Sequence, residues 1–149
     1  MKKKYCYDYP RPALTVDLVI VSREARPRVL LIRRKQEPYA GWWALPGGFV
    51  EMDESLADAA RRELAEETGV HARDVEQLHT FGAPERDPRG RTISVVYLAR
   101  VDPAHVHPEA SDDAAEVGWH SLKRPPARLA FDHAEILALV RKRLRRAKC

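Results

Sequence analysis

Three glutamates that are close together in the chain, Glu63, Glu66 and Glu67, have the residue type and spacing of a chemical site. On a helix, which turns about 100° per residue, Glu67 lies about 40° from Glu63, and Glu66 lies about 60° to the other side. The three carboxylates then share one edge of the helix, where they repel one another, and partial burial strengthens that repulsion. A hard cation such as Mg²⁺ between the oxygens would relieve it. We therefore predict a metal site.

The segment that carries these glutamates has the composition of a helix. Residues 55–68 are dominated by Ala, Leu, Glu and Arg, which are good helix formers. Ser55 suits the N-cap and Gly69 suits the C-terminal end. A buried side is predicted from the residues that share one arc of the helical wheel: Leu56, Ala57, Ala60 and Leu64.

Glutamates on helices most often face solvent, so a solvated acidic face is the alternative to a metal site. The preceding Pro46-Gly47-Gly48 favours the metal site, because glycine lets the backbone approach a ligand without a Cβ in the way. A carbonyl from this loop could complete the coordination of the metal.

Elements that could position this helix alternate along the chain. Strands are predicted for five apolar segments, 13–21, 29–32, 75–81, 92–101 and 117–122. Residues 38–48, rich in Pro and Gly, are predicted to be irregular. A second helix is predicted at 132–146, with Asp132 as its cap and an apolar stripe formed by Ile136, Leu137, Leu139, Val140 and Leu144. Interleaved strands and helices favour an α/β sandwich with a mixed sheet.

The length and composition fit one folded domain. The chain has 149 residues, of which 44% are hydrophobic and 32% are charged. We expect a single domain over residues 1–149, with residues 1–10 as an N-terminal tail. The cysteines, Cys6 and Cys149, are too few for a disulfide framework. No apolar segment follows the first residues as in a signal peptide, and the longest apolar run, 18–21, is too short to cross a membrane. We expect a cytoplasmic protein.

The formal net charge of +4 is concentrated at the two ends. Basic residues occupy positions 2–4 and recur between 141 and 148, on either side of an acidic cluster from Glu51 to Glu67. Basic ends could attract nucleic acid, since summed positive charge steers polyanions. No RNA-binding motif accompanies the charge, so we interpret the ends as solubilising and do not expect a nucleic-acid partner.

The acidic helix and its glycines belong to a longer spaced pattern. Gly48, five residues, Glu54, seven residues and then Arg62-Glu63-Leu64-Ala65-Glu66-Glu67-Thr68-Gly69-Val70 resemble a complete Nudix box over 48–70. Such a pattern is far more specific than a lone glycine motif. The resemblance to Nudix hydrolases implies the Nudix-type α/β/α sandwich with a mixed sheet. It also implies metal-dependent hydrolysis of a nucleoside diphosphate linked to another group.

The resemblance also implies roles for individual residues. Glu63 and Glu67 would be the principal metal ligands, with Glu66 in support and the carbonyl of Gly47 or Gly48 as a further ligand. Arg62 and Glu54 would orient these carboxylates. The cofactor would be Mg²⁺, with Mn²⁺ as an alternative.

The general base varies in this family and stays open here. The candidates are Asp112, Asp113 and Glu116, which resemble a late acidic loop of the family, and Glu85 and Asp87 as rivals.

Pro84, 15 positions after Gly69, resembles a proline that marks the ADP-ribose pyrophosphatase branch. That branch would cleave ADP-ribose to AMP and ribose 5-phosphate. Candidate substrate-binding residues are Arg86 and Arg89 for phosphates, Pro84, and the aromatic residues Phe81 and Tyr39, with Trp42 and Phe131 as further stacking candidates. The alternative is that the prolines only shape a turn and the rings only pack in the core.

Other functions remain open at this point. A MutT-like member would instead release pyrophosphate from an oxidised nucleoside triphosphate. A non-enzymatic module similar to NrtR-like regulators would sense ADP-ribose, although we expect no room for their DNA-binding domain after Arg146. Members of the ADP-ribose branch are often homodimers, so a homodimer is expected from the resemblance.

Overall fold

The computed structural model describes residues 4–147, so the terminal residues 1–3 and 148–149, with part of the predicted basic ends and tail, lie outside it. Within residues 4–147, one seven-stranded sheet lies between two helices. The strands are β1 (Ala13–Ser22), β2 (Arg28–Arg34), β3 (Trp43–Ala44), β4 (Gly47–Phe49), β5 (Glu76–Phe81), β6 (Thr92–Val101) and β7 (Ala114–Ser121). The helices are α1 (Leu56–Thr68) and α2 (His133–Arg146).

The sheet is mixed because its central strands run parallel while the others are antiparallel. Strand β1 pairs in parallel with β6 over its full length, from Ala13 opposite Thr92 to Ser22 opposite Val101. On its other side β1 pairs antiparallel, first with β4 and then with β2. The β1–β4 pairing sets Asp17 opposite Gly47. The sheet thus brings a carboxylate from β1 next to the glycine pair before α1.

The two faces of the sheet bury alternate residues of β1, as the two-residue period of a strand requires. Val16, Leu18 and Ile20 pack in one core cluster with Ala60 and Leu64 of α1. The other face packs against α2 through Val19, Val21, Ile136, Leu137 and Val140. The predicted α/β sandwich with a mixed sheet is therefore confirmed.

The ends of α1 form as predicted. The Ser55 hydroxyl accepts a hydrogen bond from the Asp58 backbone N–H at 3.1 Å, and Gly69 ends the helix in a left-handed conformation with φ of 69°. The buried side is shifted slightly from the prediction. Ala59 is buried with Ala60 and Leu64, whereas Leu56 and Ala57 are only half-buried.

The local structure differs from the predictions in three places. Residues 38–48, predicted to be irregular, contain β3 and β4, which are short strands stabilised by pairing with β2 and β1 and not by their own propensity. Asp132 lies at the N-cap of α2 but makes no capping hydrogen bond, because its carboxylate binds Arg86. Strand β7 begins at Ala114, three residues before the predicted start.

The described part of the tail, residues 4–10, contains no helix or strand. Its Tyr5 and Tyr7 rings stack at 6.4 Å, and the Arg11 guanidinium lies 3.8 Å from the Tyr7 ring centroid. In residues 4–147, neither helix is sufficiently long and apolar to pass through a bilayer.

Candidate active site

A cleft of about 480 Å³ lies between α1 and the start of α2, beside β4. One wall carries Gly47, Gly48, Glu63 and Glu67, with Asp17 at its base. The other wall is basic and aromatic and includes Arg34, Lys35, Arg86, Arg89 and Phe131. The fold therefore brings the predicted metal ligands and cationic side chains to a single opening.

The glycine pair of β4 is in contact with the two glutamates that lie one helical turn apart. The Gly47 backbone N–H donates a hydrogen bond to Glu67 Oε2 at 2.8 Å. A Cβ at Gly48 would lie 2.4 Å from Glu63 Oε1, so a larger residue there would collide with that carboxylate. Only glycine allows this close approach of the strand to the acidic face of α1.

Arg62 holds the carboxylates around this site with one guanidinium. It binds both oxygens of Glu54 at 2.9 and 2.6 Å, Glu63 Oε1 at 2.8 Å and Glu66 Oε2 at 3.2 Å. A further bond reaches the Phe49 carbonyl at 3.1 Å. Charge-assisted bonds of this kind fix geometry strongly. The network holds one oxygen of Glu63 and ties α1 to the loop that precedes it.

The electrostatics of the acidic wall favour a cation. Burial raises the pKa of Glu67 to about 8, and the charges of Glu63 and Asp17 act in the same direction, against the hydrogen bond from Gly47. Burial also raises the pKa of Glu63, although Arg62 opposes the change. Without a cation, the charged forms of these carboxylates are disfavoured, because they are desolvated and repel one another. The oxygen donors present therefore fit a hard divalent ion.

The third glutamate of α1 lies apart from the other two. Glu66 points away from the cleft, its side chain is 60% exposed, and its contact is with Arg62. Within residues 4–147, no cluster of three or more His, Cys, Asp or Glu side chains has the arrangement of a metal cage. Mg²⁺ commonly uses one or two carboxylates and completes its shell with water and substrate phosphates. Glu63 and Glu67 could supply these carboxylates.

A buried polar network supports the base of the cleft. Ser94 on β6 donates to Asp17 Oδ2 at 2.5 Å, and Arg86 Nη2 lies 3.7 Å from the same oxygen. Arg86 also forms a two-bond ion pair with Asp132, at 2.8 and 2.7 Å. Burial alone would raise the pKa of Asp17, but His133, Ser94 and Arg86 together hold it below its ordinary value. The network links β1, β6, the loop after β5 and the start of α2.

His133 connects this network to the strand that bears the glycines. Its Nδ1 accepts a hydrogen bond from the Leu45 backbone N–H at 3.0 Å, so Nδ1 carries no proton in this geometry. The ring hydrogen therefore lies on Nε2, which is 3.4 Å from Asp17 Oδ1. This chain of contacts fixes the backbone just before Pro46-Gly47-Gly48.

Some of the predicted substrate-binding residues lie in the cleft. Arg86 and Arg89 both line it. Arg86 is only 8% exposed and is held by Asp132, whereas Arg89 pairs with Asp87 at 2.7 Å and lies over the rings of Phe49 and Phe131.

The other predicted substrate contacts are not in the cleft lining formed by the described residues. Phe81 packs half-buried against the α2 side of the core. Pro84 is exposed on the loop after β5. Tyr39 packs edge-on against Trp42 and Phe131, at 5.2 and 4.9 Å.

The candidates for the general base differ in whether they line the cleft. Asp87 and Asp113 line the cleft, and Asp87 is paired with Arg89. Glu116 is exposed and forms an ion pair with Arg33 at 2.9 Å. Asp112 and Glu85 are exposed outside the cleft lining. Asp113 lines the cleft and has no ion-pair partner within residues 4–147. Its position therefore favours it as the general base.

Asp17, His133 and Arg34 also line the cleft, although the sequence did not identify them as site residues. Asp17 had a visible signal, because it is a charged residue inside an apolar strand segment, where charge is rarely buried without a partner. Its partners are distant in sequence, since Ser94 lies 77 positions away. Nothing in the sequence distinguished Arg34 from its neighbour Arg33.

The chain resembles two other proteins over most of its length. It is 42% identical to an ADP-ribose pyrophosphatase of Methanocaldococcus jannaschii, over 91% of this chain and 76% of that protein. It is 37% identical to an ADPR responsive transcriptional repressor, NtrR, of Acinetobacter baylyi, over 87% of this chain but only 53% of the repressor.

The chain also resembles solved structures over most of its length. The NUDIX domain of Shewanella oneidensis NrtR, complexed with ADP ribose, matches with a TM-score of 0.83 and 36% identity, over 93% of this chain and 94% of that one. A MutT/nudix family protein of Enterococcus faecalis matches with a TM-score of 0.83 and 38% identity, over 95% of this chain and 65% of that one. The NUDIX domain family matches residues 11–140. The chain therefore belongs to the NUDIX domain family.

Proposed function

We propose that this protein hydrolyses the diphosphate of ADP-ribose to AMP and ribose 5-phosphate with the help of a divalent cation, Mg²⁺ or Mn²⁺. The observation that carries the proposal is the pair of half-buried carboxylates, Glu63 and Glu67, packed against Gly47 and Gly48 in a cleft with a cationic opposite wall. Such a cleft suits a ligand that carries negative charge at its centre.

The residues of the acidic wall would hold the cation. Glu63 and Glu67 would bind it, a carbonyl of Gly47 or Gly48 would add a ligand, and Arg62 would keep Glu63 in place with the support of Glu54. Glu66, on the outer side of Arg62, would act through that arginine. The bound cation would neutralise phosphate charge and lower the pKa of a water. Asp113 would be placed to take the proton of that water.

The choice of ADP-ribose is supported by the relatives and by the opposite wall. Both an ADP-ribose pyrophosphatase and an NrtR domain complexed with ADP ribose resemble the chain over about nine-tenths of its length. At the cleft, Arg89 lies beside the rings of Phe49 and Phe131, and a cation next to aromatic side chains suits a phosphate next to a purine.

A product assay tests this proposal against a MutT-like activity. ADP-ribose, dGTP and oxidised dGTP are each incubated with the protein and Mg²⁺, or with EDTA, and the products are separated by ion-exchange chromatography. We expect AMP and ribose 5-phosphate from ADP-ribose only when metal is present. Release of pyrophosphate from a triphosphate, with ADP-ribose left intact, would reject the proposal.

A second candidate function is sensing of ADP-ribose without turnover. The similarity to the NtrR repressor and to the NrtR domain favours it specifically. Calorimetry with ADP-ribose distinguishes the two functions when it is combined with the product assay. Binding with no AMP after prolonged incubation with Mg²⁺ or Mn²⁺ would establish the sensor and exclude the enzyme.

We also propose a homodimer. Outside the cleft, large hydrophobic side chains are exposed in the segment before β1, on β1 and in the loop that follows β4: Tyr5, Tyr7, Tyr9, Leu14 and Met52. Exposed apolar side chains in this number suit an interface between copies better than solvent. Light scattering coupled to gel filtration should give twice the monomer mass of 17.0 kDa. A monomer at micromolar concentration would contradict the dimer.

A further inference from the structure

A cavity of about 700 Å³ lies beyond the C-terminal end of β1, whereas the cleft lies beside the first half of that strand. Its walls come from the segment between α1 and β5, the end of β6 and the 3₁₀ helix Pro103–His105. Arg23 at this cavity and Asp17 in the cleft are six positions apart, which is roughly 20 Å in an extended strand. In the described part of the chain the two openings share no lining residue. The cavity is therefore a separate opening, and its volume is that of a small-molecule site.

The floor of this cavity is apolar. It is formed by four half-buried side chains, Ala72, Val75, Val101 and Val106. On their inner side they pack against the core that β1 shares with α1. Part of their apolar surface still faces solvent, so a ligand with an apolar body would be stabilised by covering it.

The rim of this cavity consists of arginines from four separate segments: Arg23 after β1, Arg61 on α1, Arg73 before β5 and Arg100 on β6. Backbone carbonyls link these residues in pairs. Arg23 Nε donates to the Arg100 carbonyl at 3.1 Å, and Arg61 Nε donates to the Arg73 carbonyl at 3.1 Å. The fold thus gathers four positive charges that are far apart in the sequence around one apolar floor.

The carboxylates of the lining are fewer than these arginines: Asp74, Glu76 and Asp102. Glu76 forms an ion pair with Arg143 of α2. Asp102 accepts a hydrogen bond from the Ala104 backbone N–H at 2.9 Å and lies 3.6 Å from His105 Nδ1. Two of the three carboxylates therefore have partners outside the rim.

Arg73 and Arg100 are the rim residues that are open to a ligand. Both are exposed, and within residues 4–147 their guanidinium groups take part in no hydrogen bond or ion pair. Arg61, in contrast, pairs with Asp58 at 3.1 Å. A free guanidinium presents a planar fork of N–H donors that matches the oxygens of a phosphate.

We propose that this cavity binds a small organic phosphate, with the phosphate group at the arginine rim and an apolar or planar body on the valine and alanine floor. A nucleoside monophosphate has this form, since it joins one phosphate to a flat base on which a guanidinium can stack. The site goes beyond the proposed hydrolysis and does not depend on it, because binding here can be measured whether or not ADP-ribose is cleaved.

NMR titration of the ¹⁵N-labelled wild type with AMP in metal-free buffer tests the site. AMP has no phosphoanhydride to cleave, and backbone amides report on the cavity and the cleft separately. We expect saturable shifts in residues 71–76 and 98–106, with a dissociation constant of about 1 mM or less. No saturable shift in these two ranges, or shifts confined to residues 45–49 and 86–89 of the cleft, would overturn the inference.

The double variant Arg73→Gln/Arg100→Gln should weaken AMP binding at these amides by about tenfold or more, because charge-assisted contacts are lost. The matched control, Arg124→Gln/Arg128→Gln, removes two exposed arginines outside both openings and should change the constant by less than about twofold. Equal weakening in the two double variants would reveal a general effect of net charge and would overturn the site.

Two further probes test the two parts of the ligand on the wild type. Inorganic phosphate lacks the body that would cover the floor, and adenosine lacks the phosphate that would bind the rim. Each should therefore bind at residues 71–76 and 98–106 at least about fivefold more weakly than AMP. Affinity equal to that of AMP for either probe would overturn the assignment to an organic phosphate.

Discussion

The two sides of the cleft are built in different ways. The acidic wall is local: Glu63 and Glu67 share one helix, and Arg62 of the same helix binds Glu63. The base and the opposite side are assembled from distant segments. The Leu45 N–H reaches His133 across 88 positions, and Arg86 reaches Asp132 across 46.

This difference decides which site residues can be recognised from the sequence and which cannot. A helix fixes which side chains are neighbours, so spacing alone identifies the acidic wall. The distant network depends on which strands pair and where the second helix starts. We expect the local wall to control chemistry and the assembled network to control stability, and the following predictions test that division.

The largest effect is expected from Glu67→Gln. The amide keeps the shape of the side chain but removes the charge that would hold a cation against the phosphates, so kcat should fall about a thousandfold. Initial rates with ADP-ribose and Mg²⁺ measure this, and circular dichroism should show an unchanged fold. Asp58→Asn, an exposed change on the same helix, is the control and should keep wild-type rates. Turnover within tenfold of the wild type would contradict the metal-ligand role.

The corresponding test of the assembled network is Asp17→Asn. The change leaves Ser94, His133 and Arg86 without the buried charge that they surround, so the free energy of unfolding should fall by about 2–3 kcal/mol. Urea denaturation measures the loss. Glu116→Gln removes one partner of an exposed ion pair and should cost at most about 0.5 kcal/mol. Equal losses in the two variants would mean that the buried network does not stabilise the fold.

The same division explains what the sequence could predict. Helix α1, its caps and the close approach of Gly47 and Gly48 follow from local rules, and the structure places them as expected. Asp132 takes the predicted N-cap position of α2 but makes no capping hydrogen bond, because its carboxylate is taken by Arg86 from another loop. Asp17 stood out as a charge in an apolar strand, but no local rule names His133 as its partner.

Arg34 marks the limit of sequence reasoning in this site. The alternation of a strand predicts that Arg33 and Arg34 face opposite sides, but it does not say which side faces the cleft. That depends on the pairing of β2 with β3 and β7, and the β2–β7 register shifts between these two arginines. Phe81 and Tyr39, predicted as substrate contacts, pack against other side chains because their strand and loop direct the rings away from the opening.

A smaller effect is expected at Gly48, where β4 contacts Glu63 of the acidic wall. Alanine there would place a Cβ 2.4 Å from Glu63 Oε1, and the flexible end of that side chain must move. The fold should survive, while kcat with ADP-ribose falls about tenfold because a ligand is displaced. Gly82→Ala is the matched control, since the nearest atom to its Cβ would be Ile93 Cγ1 at 4.0 Å. A wild-type rate in a folded Gly48→Ala protein would show that this contact does not position Glu63.

The smallest effect concerns the stability that the ion pair of Arg62 with Glu54 supplies. Hydrogen bonds from Arg62 lower the pKa of Glu54 to about 2, from an ordinary value of 4.5. A carboxylate with a lowered pKa in the folded state stabilises the protein above its unfolded pKa, and this contribution disappears as the pH falls through the folded value. Glu54→Gln should therefore cost about 1 kcal/mol at pH 6, allowing for solvent screening, and progressively less from pH 4.5 towards pH 2.

Urea unfolding of the wild type and Glu54→Gln across this pH range measures the difference. The control is a double-mutant cycle with Arg62→Gln, in which the pH-dependent part of the Glu54 effect should disappear because its partner is absent. If the difference stays constant from pH 6 to pH 2, the Arg62–Glu54 contact does not set the pKa of Glu54. The role of this pair would then be to hold Glu63 in position and not to stabilise the fold.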